Sequence, residues 1–220
     1  VSITSARSLF NQHIASQLYG PPDPALSHYG FQGINMAKAL VIFLHGVGSN
    51  GDDLAPIGRH WSSFLPDVAF ASPDAPYAFE QGFGYQWFSL TGVTAKNRPA
   101  RVRAARDAFD ATISAIMAQN GMADRWENVM LVGFSQGSIM ALDALASGRH
   151  PLAGVVAFSG RLAFDGPLTP QAYTPVLLIH GRADEVIPWR ESESATERLK
   201  SAGIATETRF EPNTGHTISA

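Results

Sequence analysis

The sequence predicts an α/β domain, with a mainly parallel central sheet and helices on both faces. Three observations lead there. Short runs such as Ala39-Leu-Val-Ile-Phe-Leu44 and Gly154-Val-Val-Ala-Phe158 are apolar at nearly every position, the mark of strands buried on both faces. These runs end in Gly, Pro or Asp, and amphipathic helical segments alternate with them. The chain of 220 residues is 45% hydrophobic and only 16% charged, enough to bury a full core without covalent staples. No repeat or low-complexity linker divides it, so residues 1–220 are expected to form a single domain.

The elements follow in order. Residues 1–38 are the least legible; Tyr19-Gly-Pro-Pro-Asp-Pro24 excludes a helix or a central strand, so an irregular or edge element is expected. Strand 39–44 runs into His45-Gly-Val-Gly48, and Asp52 or Asp53 can cap a helix reaching about Leu65. Val68–Ala71 is a strand closed by Ser72-Pro-Asp-Ala-Pro76, whose prolines force a loop. Residues 77–98 are aromatic-rich and irregular. After Pro99, Val102, Ala105, Phe109, Ile113 and Ile116 form one apolar stripe at helical spacing, ending near Gly121. Strands at 128–132, 154–158 and 175–179 follow, with helices over 138–146 and 192–202. Thr206-Glu-Thr-Arg-Phe210 alternates like an edge strand.

Composition excludes several functions. With no cysteine there is no disulfide framework, thiolate zinc site, iron–sulfur cluster or cysteine nucleophile. A net charge of −3 gives no general attraction to nucleic acid, so no nucleic-acid partner is expected. Arg98, Arg101, Arg103 and Arg106 fall close together and are expected to form a solvated helix face. No apolar stretch approaches the roughly 20 residues of a membrane span and no signal peptide is visible, so the expectation is a cytoplasmic protein without an integral membrane segment. Dinucleotide, Walker and H-E-x-x-H zinc motifs are absent.

The chemistry lies in Gly133-Phe-Ser135-Gln-Gly137. A G-x-S-x-G motif between a buried strand and a helix is the setting of a nucleophile elbow, which pushes the Ser135 hydroxyl out at the top of the sheet. A serine hydroxyl needs a base. His13, His28, His60 and His150 lack supporting context; His45 and His180 end strands but come before the acid in chain order. His216, after Gly215 in the loop beyond the last strand, is the best base. Asp184, just past the strand ending at Ile179, is the best third member, with Glu185 as the fallback. The order Ser135, Asp184, His216 is that of α/β-hydrolases. The backbone N–H groups of Gln136 and of Val47, in the glycine-rich loop, are the candidate oxyanion donors. Trp87 is the candidate for lining an acyl groove, ahead of Phe88 and Phe79.

Together, Leu44-His-Gly-Val-Gly48, Pro73-Asp-Ala-Pro76, Gln86-Trp-Phe88, Gly133-Phe-Ser-Gln-Gly137, His180-Gly…Asp184 and Gly215-His216 resemble the phospholipase/carboxylesterase family, over about residues 39–218. That family includes acyl-protein thioesterases and small bacterial carboxylesterases. The resemblance implies an α/β-hydrolase fold without a large cap, no cofactor, and hydrolysis of a small-molecule acyl ester, thioester or lysophospholipid through an acyl-enzyme. It also implies Ser135, Asp184 and His216 as triad, with Val47 and Gln136 as oxyanion donors. Ser138 stands where the family commonly has a second glycine, and Tyr77 to Tyr85 looks closer to the bacterial members. The family's C-terminal helix is expected to lie outside these residues. The same triad would serve an acyltransferase, and a non-catalytic lipid-binding module on this scaffold is the remaining alternative. The aromatic-rich surface is compatible with a homodimer.

Overall fold

A computed structural model describes residues 37–170 and 173–218. The expected irregular element around Tyr19–Pro24 lies outside the described residues. Six strands form one sheet, all neighbours parallel: β1 (Ala39–Leu44), β2 (Val68–Ala71), β5 (Val129–Phe134), β6 (Gly154–Phe158), β7 (Val176–Gly181) and β8 (Thr206–Glu211), in the order β2-β1-β5-β6-β7-β8. The helices are α1 (Ala55–Ser62), α2 (Arg98–Ala104), α3 (Arg106–Gln119), α4 (Gln136–Ala146) and α5 (Arg190–Ser201).

Strand β1 shows why its sequence is apolar throughout. Leu40, Ile42 and Leu44 enter one core cluster, with Phe109, Ile113 and Met117 of α3, most of α4, and Ala195 and Leu199 of α5. Ala39, Val41 and Phe43 enter the cluster on the other face, with Trp61 of α1. Alternate side chains point to opposite faces, and both are covered. Strand β1 also marks the point where the strand order reverses. The chain leaves it toward β2, then returns to its other side at β5. In a parallel sheet the crevice at the carboxyl ends of two such strands is where ligands bind.

Three expected elements differ in detail. The helix expected from Asp52 or Asp53 opens instead as a 3-10 turn, Gly51–Asp53, capped by Asn50, whose side chain accepts from the Asp52 N–H at 2.9 Å. Helix α1 then starts at Ala55, with Pro56 in the first turn where no N–H is needed, and ends at Ser62. The helix after Pro99 is two, α2 and α3, joined at Ala105 (φ −87°, ψ −5°); Val102 and Phe109 both still reach the core. Within 77–98 lies a small antiparallel hairpin, β3 (Tyr77–Ala78) and β4 (Tyr85–Gln86). It docks on the loop after β1 through Gly48 N–H to Tyr85 O (2.9 Å) and Tyr85 N–H to Ser49 O (2.8 Å). Among the described residues, no helix is long and apolar enough to cross a membrane.

Candidate active site

Ser135 sits between β5 and α4 with φ 53° and ψ −112°, a backbone conformation that costs a non-glycine residue about 1–3 kcal/mol. The surrounding packing holds it there. A Cβ on Gly133 would lie 2.4 Å from the Ser138 nitrogen, and one on Gly137 2.1 Å from the Leu44 carbonyl oxygen. Both glycines are therefore required by close approach: the first tightens the turn, the second lets α4 lie against β1. The Phe158 carbonyl accepts from the Ser135 N–H (2.9 Å) and from the Ser138 hydroxyl (2.7 Å), which also lies 2.7 Å from Gly133 O. Serine in place of a second glycine thus ties the elbow to β6.

The structure brings the three sequence-predicted side chains into contact. His216 Nε2 is 2.9 Å from Ser135 Oγ, and His216 Nδ1 is 2.7 Å from Asp184 Oδ2. The other carboxylate oxygen, Oδ1, accepts from the Val186 and Ile187 amides, both at 2.9 Å. Burial pushes the Asp184 carboxyl up, but the hydrogen bonds from His216 and from these amides outweigh it, and the group is held below the usual carboxylate range. Asp184 is therefore an anion at neutral pH, facing Nδ1–H of a histidine whose Nε2 is left free to accept. Glu185 is exposed and does not supply the partner of His216.

Two further histidines, set aside as bases in the sequence, brace this arrangement. His180 is buried, with Nε2 donating to Ile187 O (2.7 Å), Nδ1 facing Ser192 Oγ (2.7 Å), and Nε2 3.2 Å from Asp184 Oδ2. His45 is also buried; its Nε2 accepts from the Ala75 N–H (2.9 Å), so Nδ1 carries the proton and donates to Gly46 O at 2.7 Å. Burial lowers the pKa of both rings, partly offset by these hydrogen bonds, so both are neutral.

The His45 contact orients the loop after β1. Gly46 C=O and Val47 N–H belong to one planar peptide and point in opposite directions. With the carbonyl turned back to His45, and bonded also by Ser49 N–H (3.3 Å), the Val47 N–H is directed away from it. Gln136 is the first residue of α4, so its N–H has no partner within the helix, and it stands at the positive end of the helix dipole. Val47, Ser135 and Gln136 line one pocket of about 170 Å³. A larger, open hollow of about 530 Å³ beside Leu168 and Arg198 holds no member of this constellation.

Trp87 does not line that pocket, contrary to the sequence expectation. It is wholly buried, packs edge-on against Phe109 and donates Nε1–H to His45 O at 2.9 Å. It supports the loop after β1 from behind, and its neighbour Phe88 forms the pocket wall. Gln136 holds both: its Oε1 accepts from Trp87 N–H and its Nε2 donates to Phe88 O, each at 2.7 Å. The arginine cluster is not one solvated face either. Arg106 forms a two-pronged bridge to buried Asp143, both contacts at 2.8 Å, while Arg98 lines the pocket. Neither the clamp by Gln136 nor the pocket position of Arg98 has a sequence signature, because both depend on residues far apart in the chain.

Comparison with known proteins agrees with this architecture. Esterase YpfH of Escherichia coli (strain K12) is 35% identical over 182 residues, 83% of this chain and 77% of that protein. Carboxylesterase SOBER1 of Arabidopsis thaliana is 27% identical over 195 residues, 84% of this chain and 86% of its own. The crystal structure of esterase PE8 superposes with a TM-score of 0.75 at 37% identity, covering 83% of this chain and 86% of that one. The phospholipase/carboxylesterase family matches residues 31–220, which include β1, the elbow and the loops bearing Asp184 and His216. With the sheet order, the elbow and this match in agreement, the chain belongs to the phospholipase/carboxylesterase family of α/β-hydrolases.

Proposed function

We propose that this chain is a carboxylesterase-type serine hydrolase that cleaves small-molecule carboxylic esters through an acyl-enzyme on Ser135. Membership in the family supports the reaction class. The observation that carries the residue roles is the relay Ser135 Oγ–His216–Asp184, with contacts of 2.9 and 2.7 Å. His216 Nε2 takes the hydroxyl proton as Oγ attacks the acyl carbonyl; Asp184 holds the tautomer and stabilises the imidazolium. The N–H groups of Val47 and Gln136 bind the oxyanion as it develops. The tetrahedral intermediate collapses, the C–O bond to the leaving group breaks, and the imidazolium gives that oxygen its proton. Water, losing a proton to His216, then attacks the acyl-enzyme, and the second collapse returns Ser135 and releases the acid. Each step uses only side chains, backbone amides and water.

At about 170 Å³ the pocket is smaller than the roughly 300–1,000 Å³ typical of sites for drug-sized ligands, which favours short acyl groups. The test is a p-nitrophenyl ester series of increasing acyl length, with wild type and Ser135→Ala side by side. The expected result is turnover greatest at the short end and a fall of about 10⁶ in kcat, in practice to background, in the variant. Turnover by Ser135→Ala close to wild type would overturn the assignment.

A further inference from the structure

The pocket beside Ser135 has two characters. Phe88, Leu90, Ile139 and Val186 contribute apolar side chains to its lining, and Arg98 and Arg161 contribute two arginines. Both stay charged at any working pH. Among the described residues, one carboxylate answers them: Glu191, 3.2 Å from Arg161 Nη1, with its own side chain 40% exposed. Arg161 Nε is buried without a hydrogen-bond partner. Arg98 makes no ion pair with any described carboxylate; burial and then repulsion from Arg161 press its guanidinium below the ordinary arginine range.

Two other partly buried arginines of this chain are paired differently. Arg106 forks onto Asp143, and Arg149 grips Asp110 through Nε (2.8 Å) and Nη2 (2.9 Å) and Asp143 through Nη1 (3.1 Å). Arg198, also partly buried, is met instead by the Leu162 and Phe164 carbonyls. Each of these three hydrogen-bonds to oxygens of the protein, whereas at the pocket two arginines have one carboxylate between them. A buried donor left unpaired is destabilising, and a guanidinium fork matches the two oxygens of an oxyacid anion.

We propose that the preferred substrates are esters that themselves carry an anionic oxyacid group, a carboxylate or a phosphate, bound by Arg98 and Arg161 while the ester carbonyl lies at Ser135. The proposal rests on the reading of Ser135 as nucleophile.

Two matched pairs test it. The carboxylate pair is p-nitrophenyl hemiglutarate against p-nitrophenyl methyl glutarate, read as p-nitrophenol release above the spontaneous rate. The phosphate pair is butyrylated glycerol 3-phosphate against butyrylated glycerol, read as acid release. The expected result is a tenfold or greater preference in kcat/KM for the anionic member of at least one pair, and the favoured pair identifies the anion. High salt should shrink that preference. Arg98→Gln should reduce turnover of the anionic ester at least tenfold more than that of its neutral partner, with Arg98→Lys recovering part of the difference. Equal or better turnover of the neutral member in both pairs would overturn the proposal, as would equal loss on both members in Arg98→Gln. Turnover of any of the four esters that disappears in Ser135→Ala would show that the serine hydrolase reading stands in either event; no Ser135-dependent turnover of any of them would mean that reading has failed.

Discussion

Asp184→Asn is the most discriminating single change, because the surrounding donors decide which way the new amide turns. Asp184 Oδ1 accepts two backbone N–H groups, from Val186 and Ile187, each at 2.9 Å. Turning an amide NH₂ toward them would set two donors against a third. The asparagine carbonyl must therefore stay there, and its NH₂ takes the place of Oδ2, 2.7 Å from His216 Nδ1. Retreat on the other side is blocked, since His180 Nε2 stands 3.2 Å away and already donates to Ile187 O. The NH₂ donates to His216 Nδ1, which must give up its proton; the ring then carries hydrogen on Nε2, facing Ser135 Oγ. In that tautomer His216 cannot accept the hydroxyl proton. The loss in kcat should be about 10⁴-fold, about 5.5 kcal/mol of transition-state stabilisation. The backbone contacts of residue 184 survive, so the variant should fold. Steady-state kinetics with a short-chain p-nitrophenyl ester, alongside a thermal melt, measures both. A folded Asp184→Asn variant within tenfold of wild-type kcat would refute the argument, and would direct attention to Glu185 as the acid.

Two other outcomes follow from the braced histidines. His45→Phe keeps the ring volume but removes the donor to Gly46 O and the acceptor for Ala75 N–H; kcat should fall about 10- to 100-fold through a loosened Val47 donor, with KM changed much less, and a KM-only effect would contradict the peptide-orientation argument. His45 and His180 have folded pKa values below the ordinary 6.5, so the unfolded chain binds more protons below that pH. Their contribution to stability is present above pH 6.5 and is lost as pH falls below it, by at most about 1.4 kcal/mol per pH unit for each ring until its folded pKa is reached. The melting temperature of wild type should therefore drop between pH 7 and 5, and His45→Phe should show a shallower dependence; an unchanged slope would remove His45 from the account.

The parts of this molecule that were legible in its sequence are those carried by local repetition. Strand β1 is apolar at all six positions because both faces of the sheet are covered, and that pattern survives any detail of packing. Gly133 and Gly137 could be read because a close approach of backbone leaves no room for another residue. The short pieces were not legible. Two-residue strands at Tyr77–Ala78 and Tyr85–Gln86 are too brief to show a period, and what forms them is docking on Gly48 and Ser49. Asn50, rather than the acids after it, caps the turn because its side chain reaches the Asp52 amide. Trp87 looked like a groove residue because large aromatics line pockets and fill cores alike; its indole N–H finds His45 O, and the ring goes inward. His45 and His180 could be placed at strand ends, but their work depends on tautomers set by Ala75 and by Ile187, contacts that span 30 residues in one case and a tight loop in the other. The paired and unpaired arginines are distinguishable only once Asp143 and Asp110 are seen beside Arg106 and Arg149, and not beside Arg98.

In the proposed reaction Ser135 is the nucleophile and carries the acyl group. That role is tested most directly by treating the protein with an organophosphate such as diethyl p-nitrophenyl phosphate and following intact mass, the labelled peptide and residual esterase activity together. The expected result is a single diethylphosphoryl adduct per chain, located on Ser135, with activity lost in proportion to labelling and no labelling in Ser135→Ala. Inhibition with the adduct on another residue, or esterase activity that persists when Ser135 is fully labelled, would contradict that role.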